Sequence, residues 1–106
     1  MILTTTETIP GYEIERVIGF VEGSSVRTVH LGKHIRGFFR RIVGGELTYY
    51  SDLLDRARSE ACKRMIEKAE RLGADAIIGV RYMTAMIAAG ASEITVYGTA
   101  VKLKRI

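Results

Sequence analysis

The sequence of 106 residues contains one cysteine, one proline and no tryptophan, and each scarcity removes a class of explanation. With Cys62 as the single thiol, no intramolecular disulfide can form, so stability must come from a packed core. Proline is confined to Pro10, which leaves no proline-rich linker or recognition tract. No apolar run approaches the roughly 20 residues that a membrane-spanning helix needs. The start, Met1-Ile2-Leu3-Thr4-Thr5-Thr6, has neither the basic region nor the apolar stretch of a secretory leader, so a cytoplasmic location is expected. A strong charge of one sign is missing too. Sixteen Lys and Arg stand against twelve Asp and Glu, a net +4 that permits an anionic partner without demanding one. Also absent are GxxxxGK[ST], GxGxxG, CxxC, HExxH and GxSxG. Nothing gathers a nucleophile, a base and oxyanion donors in one place, so no enzymatic role is expected.

A chain of this length makes one domain, residues 1–106, with a thin core. Its organising stretch runs from Thr48 to Val80. Tyr50, Leu53, Leu54, Ala57, Ala61, Met65, Ile66, Ala69 and Leu72 recur at intervals of three and four, which places one apolar stripe along a long helix. Asp52 and Asp55 are expected in its first turn and Arg71 in its last, with Glu60/Arg64 and Glu67/Arg71 as pairs one turn apart. Gly73 supplies a left-handed stop.

Three strands accompany this helix. Glu13 to Glu22 is the first, with Gly23-Ser24-Ser25 read as a break and Val26 to Leu31 as a further extended piece. Ala76 to Ile87, apolar on both faces, is the second, and Glu93 to Leu103 is the third, joined to it by the small-residue turn Ala88 to Ser92. Residues 2–6 offer a short edge strand. Lys33 to Val43 reads as a short basic helix ended by Gly44-Gly45. The expected architecture is α+β, a three-stranded antiparallel sheet of order 1-3-2 with one long helix and one short basic helix. One helix cannot cover such a sheet, and the apolar strand faces left over call for other copies of the chain.

Residues that could carry chemistry are few. His30 and His34 are spaced as on a helix, but Gly32 lies between them, and with Cys62 they are the only histidine and cysteine side chains in the chain. One protomer cannot complete a tetrahedral soft site from these three, so the spacing favours surface histidines and a helix-flank cysteine over an intrachain metal centre. His30, His34 and Cys62 are the candidate metal ligands, and in a ring, where each ligand is present several times, His34, Cys62 or Glu46 near the axis could complete a site for a divalent heavy-metal ion. Between Gly23 and Gly45 there are five basic residues and no acidic ones. Lys33, Arg36, Arg40 and Arg41, with Phe38 and Phe39 beside them, form the candidate surface for nucleic acid or another anionic partner, weighed against a solvated helix face.

Several stretches in the same order resemble one family. They are Thr4-Thr5-Thr6, Ile18-Gly19-Phe20-Val21-Glu22-Gly23, Ile42-Val43-Gly44-Gly45 with Tyr50 after it, Leu72 to Val80, and Gly98-Thr99-Ala100-Val101. Over essentially its whole length the chain resembles the YbjQ-like family of small uncharacterised prokaryotic proteins, labelled heavy-metal-binding. The resemblance implies a fold like the flavin-storing dodecin subunit and a homopentameric ring, and it carries no ligand residues over to this sequence. Glu46-Leu47-Thr48 after the glycine pair departs from the family pattern. The dodecin likeness adds flavin storage as an alternative, with Tyr49, Tyr50, Tyr82 and Tyr97 in place of a stacking tryptophan.

Overall fold

The computed structural model describes residues 1–28 and 47–106, with the side chains of the second stretch from residue 51 onward. In chain order its elements are β1 (Ile2–Leu3), β2 (Tyr12–Thr28), α1 (Leu47–Arg71), β3 (Ala76–Ala88) and β4 (Ala91–Arg105). The strands make one four-stranded sheet of order β1-β3-β4-β2. This corrects the expected three-stranded antiparallel sheet of order 1-3-2: β1 adds a fourth strand, and it runs parallel to β3, so the sheet is mixed. Two paired residues are too few to show any alternation in sequence. Their place is set by main-chain bonds instead, with Thr4 donating to the Ile77 carbonyl and accepting from Val80, both at 3.0 Å. The last strand, β4, lies between β2 and β3 and is antiparallel to both. The short basic helix expected at 33–43 lies outside the described residues.

α1 packs through Ala57, Ala61, Met65 and Ala69, all fully buried and four residues apart. Small side chains on that stripe bring the helix axis close to the sheet, and β2 answers with Val21, Gly23 and Ser25, alternate residues that are all buried. A methyl group on Gly23 would stand 2.0 Å from the Ala61 carbonyl oxygen and 2.6 Å from the Met65 nitrogen, so glycine is required by the contact itself. Gly23-Ser24-Ser25 is therefore the middle of a strand and not the break expected from composition. From β4, Ile94, Val96 and Ala100 complete the core beneath the helix, joined by Ile77 and Val80 of β3. On the opposite face a smaller cluster of Ala76, Ile78 and Val101 is covered by Ile9, Ile14 and Leu103.

The helix begins at Leu47, which moves Asp52 and Asp55 out of the first turn; that turn holds no acidic residue. Asp55 instead accepts from Arg58 at 2.5 Å, and Glu60 pairs with Arg64 at 2.6 Å. The expected pair of Glu67 and Arg71 is not among the ion pairs of the described residues. At the other end Gly73, with φ of 78°, turns the chain: its N–H donates to Glu70 and that of Ala74 to Ala69, both at 3.0 Å. These two bonds satisfy carbonyls that the helix end leaves free. The β3–β4 turn is tighter than the five-residue loop expected, since Ala88 already pairs with Ala91 and only Ala89 and Gly90 lie between. β3 is buried only as far as Val80, because α1 lies over β2 and β4; from Arg81 to Ala89 every residue is exposed.

Candidate functional site

Two grooves flank α1, and both arise from where its stripe ends. Cys62 follows the buried Ala61 and so leans off the stripe toward β3, where it is half-buried. Tyr82 pairs in register with the core residue Val96, which puts its ring on the helix side of the sheet. Between them runs an open groove of about 550 Å³, lined also by Asp55, Arg58, Lys63 and Ile66. Burial raises the Tyr82 phenol above its ordinary pKa, and the neighbouring Cys62 sulfur adds to the shift. Chemically this groove offers one thiol, the hydroxyls of Ser59 and Tyr82, and one carboxylate already held by Arg58.

On the other flank Arg27 reaches from β2 to Glu60 at 2.7 Å, and Arg64 reaches the second Glu60 oxygen at 2.6 Å. Arg64 also donates to the Ser24 carbonyl at 2.5 Å, so helix and strand are tied at two points by one network. The hydrogen bond from Arg27, and then the charge of Arg64, hold the Glu60 carboxyl below its ordinary value. The open space here, about 750 Å³, is lined by Arg56, Lys63 and the two arginines but also by Asp55, Glu60 and Glu67. Alternating signs give it no field that would collect anions. The Arg27–Glu60 bond was not readable in the sequence, because no local spacing links residues 33 positions apart.

Of the candidate metal ligands, Cys62 is the one placed; His30 and His34 lie outside the described residues, as do Glu46 and the candidate anion-binding residues Lys33, Arg36, Arg40 and Arg41. Among the described residues no three His, Cys, Asp or Glu side chains gather where they could hold a metal ion. The tyrosines considered for flavin do not converge. Tyr82 stands on the helix side, whereas Tyr97 lies against Phe20 with ring centroids 6.2 Å apart on the other face. Side chains of Tyr49 and Tyr50 are outside the described set. No described helix is long and apolar enough to cross a membrane.

A mixed four-stranded sheet carrying one long helix, with a single thiol in a helix-side groove, defines a small α+β domain. A family model described as "Putative heavy-metal-binding" matches residues 1–104, and the chain belongs to that family. It is 53% identical over 103 residues to a UPF0145 protein of Methanosarcina acetivorans, covering 97% of each chain. A UPF0145 protein of Thermotoga petrophila is 51% identical over 106 residues, the full length of both. Among solved structures, a protein of unknown function from Pediococcus pentosaceus, of the DUF74 family, superposes with a TM-score of 0.62 at 23% identity over 98% of each chain. At that identity the likeness is one of fold.

Proposed function

We propose that the protein is a homo-oligomeric binding protein of the cytoplasm, without catalytic activity, that takes up a heavy-metal ion at a site built from more than one copy. The observation that carries this is the exposed half of β3, where Tyr82, Met83, Met86 and Ile87 stand in solvent on a single chain. A surface of this kind marks an interaction site. Five copies in a ring is the arrangement that the family resemblance implies. The metal follows from the family's description together with the chemistry of Cys62, a thiol that needs several partners to complete a soft site and meets them only if neighbouring chains bring them. His30 and His34 are the nitrogen donors to be tried with it. Flavin storage has less in its favour, since Tyr82 and Tyr97 occupy opposite faces of the sheet and make no stacking pocket within a chain. For binding to nucleic acid, the candidates Lys33, Arg36, Arg40 and Arg41 lie outside the described residues, and the arginine-lined groove beside α1 also carries Asp55, Glu60 and Glu67.

The test is metal analysis of protein purified without a tag, followed by titration with zinc, copper and nickel. Saturable uptake at a fixed ratio to chain, lost in Cys62→Ala and retained on replacing the exposed Lys68, is expected. Trace metal with no saturable uptake overturns the metal reading.

A further inference from the structure

Residues 2–9 run beside the first part of β3, and three of their successive carbonyls each take a donor from it. Gly79 and Val80 give their N–H groups to Thr6 and Thr4, both at 3.0 Å, and the Arg81 Nη1 reaches the Thr5 carbonyl at 2.9 Å. In a regular strand neighbouring N–H groups point to opposite sides. Here both point the same way because Gly79 takes the left-handed region, with φ of 61°, and the register with β4 shifts between Ile78 and Arg81. The same Nη1 also holds the Val80 carbonyl at 2.9 Å, so Arg81 fastens the segment to its own strand.

Among the described residues the rest of the attachment is thin. Only Ile2 and Leu3 pair as a strand, the bond from Ile2 to the Asp75 carbonyl is long at 3.5 Å, and Thr4 reaches Ile77 at 3.0 Å. None of residues 1–10 is buried, whereas Ala76, Ile77, Ile78 and Val80 beside them are. The segment also sets its own shape. The Thr6 N–H donates to the Thr4 Oγ1 at 3.1 Å and the Thr6 hydroxyl to the Thr8 carbonyl at 2.7 Å, which leaves the Thr4 hydroxyl to donate to the Thr6 Oγ1 at 2.7 Å. Bonds that span two residues survive separation from β3. Behind the Pro10-Gly11 turn, where Gly11 has φ of 86°, the chain is held again: Ile106 donates to the Gly11 carbonyl at 3.1 Å and Tyr12 pairs with Arg105. Few buried contacts, internal bonds and a held turn define a unit that opens locally. We infer that residues 2–9 are a strap that opens and recloses on β3 as one body about Pro10-Gly11, latched by Arg81, while the other three strands stay paired. Opening turns the Gly79 and Val80 N–H groups and the Arg81 guanidinium to solvent together and lifts Ile9 from Ala76, Ile78 and Val101, so the strap governs access to this edge of the sheet. The device depends neither on a metal nor on the number of copies.

The experiment is native-state amide hydrogen exchange of the full chain, read residue by residue and corrected for intrinsic rates, in the wild type, Arg81→Ala and Ile94→Val. Arg81 is exposed and Ile94→Val removes one methylene from the core, so both variants should fold. In the wild type the Thr4, Gly79 and Val80 amides are expected to share one opening equilibrium, about tenfold or more above that of Val96 and Ala100 in the central strand. Arg81→Ala should raise exchange at those three amides about tenfold, the loss of a charged hydrogen bond. Ile94→Val should speed Val96 and Ala100 about three- to tenfold and leave the three strap amides unchanged, because the core stays packed when the strap lifts. Strap amides that quicken in Ile94→Val along with the central strand, or that exchange at three unrelated rates, overturn the strap as a separate unit. Strap amides unmoved by Arg81→Ala overturn the latch.

Discussion

Gly23 and Ser25 lie two residues apart on the same face of β2, both buried under α1, and they should respond to alanine in opposite ways. At Gly23 the added methyl meets helix backbone, which cannot rotate aside as a flexible side chain can. Gly23→Ala is expected to cost about 3 kcal/mol or more, the upper part of the range for overpacking. The hydroxyl of Ser25 is buried and has no hydrogen-bond partner among the described residues, so Ser25→Ala should be neutral or stabilising. Urea denaturation of the two variants measures both. Composition alone reads Gly-Ser-Ser as a turn, because the reason for small residues here is a helix that lies more than thirty positions away along the chain. Carboxylates give a second prediction. Glu60, bonded by Arg27, and Asp75, which accepts from the Leu103 amide at 2.9 Å, both hold folded pKa values below their ordinary ones. The sign follows directly: their contribution is fully present above the ordinary carboxylate pKa and is lost as pH falls through the lower folded values, from about pH 5 downward. Glu60→Gln and Asp75→Asn should each flatten the fall in melting temperature over that range; an unchanged acid limb in both would remove these groups from the account.

The helix was the most readable element, since its core stripe is strictly periodic and its end is a glycine in the left-handed region. What the stripe did not show is its gradation. Ala57, Ala61, Met65 and Ala69 are fully buried, whereas Leu54 and Ile66 are half-buried and Leu72 is 52% exposed beyond the last turn. Met65→Ala should therefore cost about 2–5 kcal/mol, and Leu54→Ala less than Met65→Ala. Lys68→Ala, on the exposed side, should stay within about 1 kcal/mol. Equal melting shifts for Met65 and Lys68 would show that the buried face is assigned wrongly. Strands were less readable than the helix for a physical reason. In β3 the apolar run continues from Ala76 past Val80 without a change in composition, yet the cover from α1 and from the first six residues stops there. Apolar residues that end exposed and apolar residues that end in the core are of the same types. The candidate ligands were readable only as residue types: Cys62 was rightly put on the helix flank, while its neighbour Tyr82 comes from a strand that no spacing connects to it.

For the molecule as a whole, the first ten residues have a larger role than their single two-residue strand suggests. They pair along β3 as far as Val80, and Ile9 covers Ala76, Ile78 and Val101 on the face away from α1. Removing residues 1–10 should bare both an edge and an apolar patch, and the truncated chain is expected to melt lower and to aggregate at concentrations where the full chain stays clear, as turbidity on heating would show. The pairing has a consequence in time as well as in space. Ile2 and Leu3 wait for Ala76 and Ile77, Tyr12 waits for Arg105, and Thr28 for Ala91, so every sheet partner of the early chain is synthesised late. A ribosome making this protein releases β1 and β2 long before anything exists for them to bond, and α1 alone can form from neighbours in sequence. Loops this long must close before their contacts are rewarded, which slows folding to the millisecond-to-second range of strand-dominated topologies. Throughout that wait Ile14, Val17, Ile18 and Phe20 are exposed on an unpaired chain, and aggregation competes with folding until residue 105 has emerged.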